Sequence, residues 1–178
     1  KADLTKPDQA VSMANEVKRQ MGEVTLLINN ASIHKNDNIE NLNPLDFEKS
    51  LNIHLSSPVY LAKAMNGSRG NIINIIDTTI TENRHKFFSY SFSKKSMFNL
   101  TEMMAYDLAP DIRVNAIAPG PLLFKEGQNI DLFNRLILET PLKARTELQD
   151  LYQTILFLIN TNSITGQCIF LDGGSHLK

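Results

Sequence analysis

The sequence predicts an α/β fold, a doubly wound and mainly parallel Rossmann-type sheet, on three observations. Short apolar runs alternate from end to end with longer stretches whose apolar residues recur at helical spacing. The run Ile72-Ile73-Asn74-Ile75-Ile76 is continuous and β-branched, the pattern of a parallel strand covered on both faces. The 178 residues are 42% hydrophobic, with no repeat and no low-complexity tract, which fits one well-cored domain over 1–178.

From Thr5 the chain enters a helix with Pro7 in its first turn, where a missing N–H is harmless. Ala10, Met13, Ala14, Val17 and Met21 form its apolar stripe, and Gly22 ends it. Val24 to Ile28 is a strand that delivers Asn29, Asn30, Ala31 and Ser32 to the edge of the sheet. Ile33 to Asn43 is polar and aperiodic, a loop. Asn43-Pro44 opens the next helix as cap and first helical residue; Phe47, Leu51 and Leu55 face inward, Asn52 sits mid-helix, and Pro58 is expected to kink it. Asn66 to Gly70 reads as a tight turn or a shortened connection.

The strand Ile72–Ile76 brings Asp77 to its carboxyl end, the edge at which open α/β sheets bind ligands. Thr78 to Lys86 is a polar loop over that edge. Tyr90 and Lys94 are four apart in a segment whose Met97, Leu100, Met104 and Leu108 keep helical period, so they share one face. This helix should end at Ala109-Pro110. Ile112 to Ala118 is a strand, and Pro119-Gly120-Pro121 a rigid turn. Phe124 to Thr140 mixes charges with Leu132, Phe133, Leu136, Ile137 and Leu138, an amphipathic pattern. Thr146-Glu147-Leu148-Gln149 resembles a capping box opening a last helix through Ile159, and Cys168 to Leu171 closes the sheet.

With a formal net charge of −1 and no basic run, the chain offers nothing to a nucleic acid or an anionic membrane. Its apolar stretches are far below spanning length. The single Cys168 has no internal disulfide partner, which makes a reducing cytoplasm the default expectation. No His or Cys spacing suggests a metal site. The chemistry-bearing pair is Tyr90 with Lys94: an ammonium one turn from a phenol favours the phenolate and makes the tyrosine a candidate general acid. Among the histidines, His34 reads equally as a solvated loop residue or a ring at the site, while His54 and His176 read as structural.

The motifs around this pair resemble the short-chain dehydrogenase/reductase family over the whole chain. Asn29-Asn30-Ala31 is similar to the family's N-N-A-G, Arg113-Val114-Asn115 through Pro119-Gly120 to its R-V-N-x-x-x-P-G, and Thr165-Gly166-Gln167 through Asp172-Gly173-Gly174 to its T-G-Q…D-G-G. By this resemblance Asn52 is the family's active-site asparagine. Lys94 would hold nicotinamide ribose hydroxyls, with Asp3, Leu4, Asn30, Ala31, Ser32, Ile75, Tyr90, Pro119 and Gly120 as further cofactor contacts. Leu122 and Leu123 stand where a phosphate-contacting Thr or Ser is usual. Ala2-Asp3-Leu4-Thr5 looks like the end of the family's third strand, which implies two earlier βα units, with the glycine-rich turn, that these residues do not contain. The residues that choose between cofactors lie there, so NADP(H) is expected and NAD(H) stays open. The family also implies a homotetramer or homodimer.

Asp77 departs from the family. Thirteen residues before the tyrosine the family usually has a serine, and aspartate there resembles the pteridine reductase and dihydromonapterin reductase branch, as do Asn30-Ala31-Ser32 and the tail Asp172–Leu177. A pterin offers N–H groups that suit an acceptor, whereas a ketone oxygen needs a donor. The resemblance implies an NADPH-dependent reduction of a dihydropterin, whether dihydrobiopterin, dihydromonapterin or a dihydrofolate-like molecule, to its tetrahydro form. Asp77, Tyr90 and Lys94 would be catalytic, and His34, Asp77 and Tyr90 would contact the substrate. A reductase of another carbonyl, such as a 3-oxoacyl thioester, and a non-catalytic scaffold are the alternatives.

Overall fold

The computed structural model describes residues 1–65, 67–83, 85–124 and 129–178. Within these residues four strands, β1 (Leu26–Asn29), β2 (Gly70–Ile75), β3 (Ile112–Pro119) and β4 (Cys168–Leu171), pair in parallel in the order β1-β2-β3-β4. The helices are α1 (Pro7–Met21), α2 (Pro44–Leu51), α3 (Ser57–Ala64), α4 (Phe88–Asp107), α5 (Ile130–Leu138) and α6 (Leu148–Asn160).

Helices cover both faces of the sheet, as the continuous apolar strands require. Even-numbered residues of β2, β3 and the position just past β2 face one way: Ile72 and Val114 pack against Ala62 of α3, its C-cap Met65, and Met104 and Ala105 of α4, and Ile76, Ala116 and Ala118 against Met97 of α4. Odd-numbered residues face the other: Ile73, Ile75 and Ile117 pack against Leu151, Ile155, Leu158 and Ile159 of α6. A polar ladder crosses the sheet within this core. Asn29 Nδ2 donates to Asn74 Oδ1 at 2.8 Å, and Asn74 Nδ2 donates to Thr101 Oγ1 at 2.9 Å, so these buried amides are bonded. Gly70 lets β2 start against Thr25, for a Cβ there would lie 2.2 Å from the Thr25 carbonyl oxygen.

Most boundaries follow their local signals. α1 begins at Pro7 and is ended by its C-cap Gly22, whose φ of 84° favours a residue without a Cβ. Asn43 caps α2, accepting from the N–H groups of Leu45 and Asp46. The expected kink before Pro58 takes the form of a π-helical turn, Asn52–Ser56, in which Ser57 N–H reaches back to Asn52 O. Proline supplies no N–H of its own, and the wider turn accommodates the break.

Two expectations are corrected. Residues 2–5 form no strand: Asp3 Oδ1 accepts from the Thr5 N–H and hydroxyl at 3.0 and 2.7 Å, which closes a turn into α1. The capping box of α6 is shifted by one residue, to Glu147 and Asp150, because the Thr146 hydroxyl is used on Leu171 O, 2.7 Å away. Within the amphipathic stretch Phe124–Thr140, α5 spans Ile130–Leu138 with Asn129 as its cap; Lys125 to Gln128 lie outside the described residues, as do Asn66 and Arg84 of the other expected loops. Among the described residues no helix is long and apolar enough to cross a membrane.

Candidate active site

The carboxyl end of β2 and the first turns of α4 meet in one place. β2 runs straight into Ile76 and Asp77, and Asp77 Oδ1 caps the following short turn by accepting from Thr79 N–H at 2.8 Å. Its other oxygen, Oδ2, accepts the Tyr90 hydroxyl at 2.7 Å. Lys94, one turn further along α4 and 3% exposed, donates from Nζ to Ile75 O at 2.7 Å and lies 5.8 Å from the Tyr90 ring centroid. Carboxylate and phenol are thus in direct contact, with the ammonium beside the phenol ring. Burial pushes the Lys94 ammonium down to about 8, partly offset by the negative charge of Asp77.

The start of α4 is held from a distance. Phe87, the residue before the helix, sits in the left-handed region at φ 62° and provides no side-chain cap. The cap is Asp37, buried in the loop after β1: its carboxylate accepts from Ser89 N–H at 3.1 Å and from the Ser89 hydroxyl, while its carbonyl accepts from Phe88 N–H at 3.2 Å. This clamp draws the loop over the site. His34 stacks on Phe87 with centroids 4.2 Å apart and meets the Tyr90 ring edge-on at 4.6 Å. His34 is therefore part of the site's wall.

Asn52 does not join this group. Its amide donates to Thr5 O at 3.1 Å, because the π-helical turn directs it toward the chain's first turn. Two residues on, His54 takes a place beside Tyr90, edge-on at 5.8 Å and 1% exposed. Its Nε2 is 2.9 Å from Ser32 Oγ, and its Nδ1 is 2.8 Å from Ser93 Oγ. Burial and the positive charge of Lys94 push this ring down to about 3, against the backbone of Ser50. The family resemblance pointed to Asn52; the usable signal for His54 was an imidazole in the otherwise apolar Ile53–Leu55 stretch.

Of the remaining expected contacts, those that follow β1 and β3 lie at the same sheet edge. Asn30 and Ala31 are exposed just past β1, and Gly120 follows β3 with its N–H on Leu171 O at 3.0 Å. Leu4 O accepts the Ser57 hydroxyl at 2.8 Å, which ties the first turn to α3. His85 lines a cleft with Asn38, Ile39, Glu40 and Phe88. His176 bonds the Asp172 carboxylate at 3.0 Å and stacks on Phe170, a structural arrangement of the tail. No cluster of metal-ligating groups is present among the described residues.

Residues 1–176 match the family described as enoyl-(acyl carrier protein) reductase. The 3-oxoacyl-[acyl-carrier-protein] reductase FabG of Buchnera aphidicola is 30% identical over 99% of this chain and 76% of its own length. The dihydromonapterin reductase of Klebsiella pneumoniae is 26% identical over 99% of this chain and 77% of its own. The crystal structure of FolM alternative dihydrofolate reductase 1 from Brucella canis, complexed with NADP, is 38% identical and superposes with a TM-score of 0.89, covering 94% of this chain and 69% of that one.

Proposed function

The chain belongs to the short-chain dehydrogenase/reductase family, and we propose that it catalyses the NADPH-dependent reduction of a dihydropterin to its tetrahydro form. The observation that carries this reading is the 2.7 Å bond from Tyr90 to Asp77. A ketone reductase needs a donor beside its tyrosine, and an ionised carboxylate only accepts. A pterin supplies what that carboxylate lacks, an N–H or amino group to donate to it. The similarity to a dihydromonapterin reductase and to FolM supports the same choice.

The donor set fits a nicotinamide ribose. Among the described residues the Lys94 ammonium has one hydrogen-bond acceptor, Ile75 O, which leaves two of its three N–H bonds for ribose hydroxyls. When bound, NADPH supplies the hydride. The chain's own groups do the rest: Asp77 fixes the pterin edge, Tyr90 Oη delivers the proton to the ring nitrogen, and Lys94 stabilises the phenolate left behind. His34, backed by Phe87, offers a flat ring against which the pterin stacks. Asn30, Ala31, Ser32, Pro119 and Gly120 complete the cofactor edge, with Asp3 and Leu4 at its far end.

The apolar groove between α3 and α4, lined by Leu55, Val59, Tyr60, Leu100 and Met103, supports assembly as a homodimer or homotetramer. We place the enzyme in the cytoplasm, in keeping with its single thiol, Cys168, which burial pushes up to about 12.

The test is NADPH oxidation with dihydrobiopterin and dihydromonapterin against an acetoacetyl thioester. The FabG similarity makes the thioester the informative rival. Turnover of the dihydropterins alone supports the proposal, and turnover of the thioester alone rejects it.

A further inference from the structure

Buried beside the reacting groups is one titratable side chain that the proposed chemistry leaves idle, His54. Its neighbours decide which ring nitrogen carries the proton. Ser93 Oγ donates its only proton to Tyr90 O, 2.8 Å away, in the back-bond common for serine within a helix. Toward His54 Nδ1, at 2.8 Å, Ser93 is left able only to accept, so Nδ1 must bear the hydrogen. Ser50 Oγ reinforces this side, 3.4 Å from Nδ1 and 3.2 Å from Ser93 Oγ, with its own proton directed to Ser89 O at 3.3 Å. In a neutral ring Nε2 then holds a lone pair, and it accepts from the Ser32 hydroxyl at 2.9 Å.

We propose that His54 is a positioning residue of the active site: as the Nδ1–H tautomer it ties Ser93 of α4 to Ser32 of the segment after β1, and it turns the Ser32 proton inward. Two consequences follow from that link. Ser93 lies between Tyr90 and Lys94 on α4, so the bond sets how far these two stand from the cleft wall carried by β1. Ser32 Oγ, with its proton committed to the ring, faces a ligand as an acceptor only. Together with Asp77 it makes the pocket accepting on two sides, which favours a ligand rich in N–H groups and opposes a bare carbonyl.

The groups facing the ring keep it neutral. α4 presents Tyr90, Ser93 and the Lys94 ammonium, α2 presents Ser50 through its hydroxyl and its backbone, and the segment after β1 presents the Ser32 hydroxyl. No carboxylate among these stands ready to stabilise an imidazolium, and a second cation beside Lys94 is disfavoured.

Nitrogen NMR of the histidine-labelled protein tests the tautomer, with the His54 signal identified by its loss in His54→Asn. An Nδ1–H ring with no protonation between pH 5 and 8 is the expected result. An Nε2–H ring, or a midpoint near the ordinary histidine value, overturns the proposal. The kinetic arm compares His54→Leu with His54→Asn, whose amide can still donate to Ser93 from nearly the Nδ1 position. Leucine should lower kcat about tenfold or more, with a folded protein by circular dichroism, and asparagine should recover much of that loss. Equal kcat values in leucine variant and wild type, or a leucine loss that asparagine does not reduce, reject it. This arm rests on the pterin reading, whereas the tautomer measurement does not. A wild-type protein inert toward dihydropterins would remove that reading and leave the NMR result to decide this one.

Discussion

The hydroxyl of Tyr90 donates to Asp77 Oδ2 at 2.7 Å, so the proposed general acid and an acceptor stand in one hydrogen bond thirteen residues apart in sequence. The two charged neighbours pull in opposite directions. The carboxylate holds the proton on the phenol, and the ammonium of Lys94 favours its departure. A ligand that engages Asp77 would release the first restraint and leave the second. Binding would thereby prepare the tyrosine to give up its proton.

Tyr90→Phe should accordingly reduce dihydropterin turnover about a thousandfold, within the usual span for loss of a general acid. Asp77→Ser should reduce it by about ten- to a hundredfold and raise whatever activity exists toward acetoacetyl thioesters. Steady-state NADPH oxidation with both substrates measures this. If Asp77→Ser kept full dihydropterin turnover, the carboxylate would have no part in substrate recognition.

Lys94 illustrates a site maintained at the expense of stability. Among the described residues its buried ammonium has one carbonyl acceptor, and its folded-state pKa of about 8 lies below the unfolded value near 10.5. Between these values the unfolded chain binds the extra proton, so wild-type stability rises with pH across that window. Lys94→Met should therefore be inactive yet more stable at pH 7 by about 2 kcal/mol, with the gap closing as pH approaches 10.5. Urea unfolding of both proteins at pH 7 and pH 10 checks the sign. A gap that widens with pH would contradict it.

Asp37 should behave as a helix cap supplied from another part of the chain. Asp37→Ala leaves Ser89 N–H and its hydroxyl without their carboxylate and should cost about 1–2 kcal/mol. Because the same clamp positions Phe87 and His34 beside Tyr90, kcat/KM for the dihydropterin should fall more than stability alone accounts for. Thermal unfolding and kinetics on the same preparation separate the two effects. Unchanged kinetics would confine Asp37 to a structural role.

Gly70→Ala tests the sheet itself. The added Cβ would lie 2.2 Å from a backbone oxygen of Thr25, which cannot move without displacing the segment that leads into β1. We expect a loss of about 3 kcal/mol or more, or failure to fold. Expression yield and circular dichroism report the outcome, and a well-folded variant of wild-type stability would show that the contact yields easily.

Local signals were sufficient wherever neighbours in sequence are also neighbours in space. Pro7 and Gly22 bound α1, Asn43 caps α2, and the four-residue spacing of Tyr90 and Lys94 places both on one face of α4. Asp77 reaches the ligand edge because it lies just past the end of a buried strand.

The sequence by itself determined the parallel α/β frame and the three groups gathered at the end of β2, because hydrophobic period and helical spacing depend on residues a few positions apart. Only the tertiary structure decided that Asp37 caps α4, that Asn52 turns to Thr5, and that His54 joins Ser32 to Ser93. Each of those choices pairs polar atoms 22 to 52 residues apart. A polar side chain takes whichever partner the packed core brings within about 3 Å, and no periodicity in the chain records which one that will be.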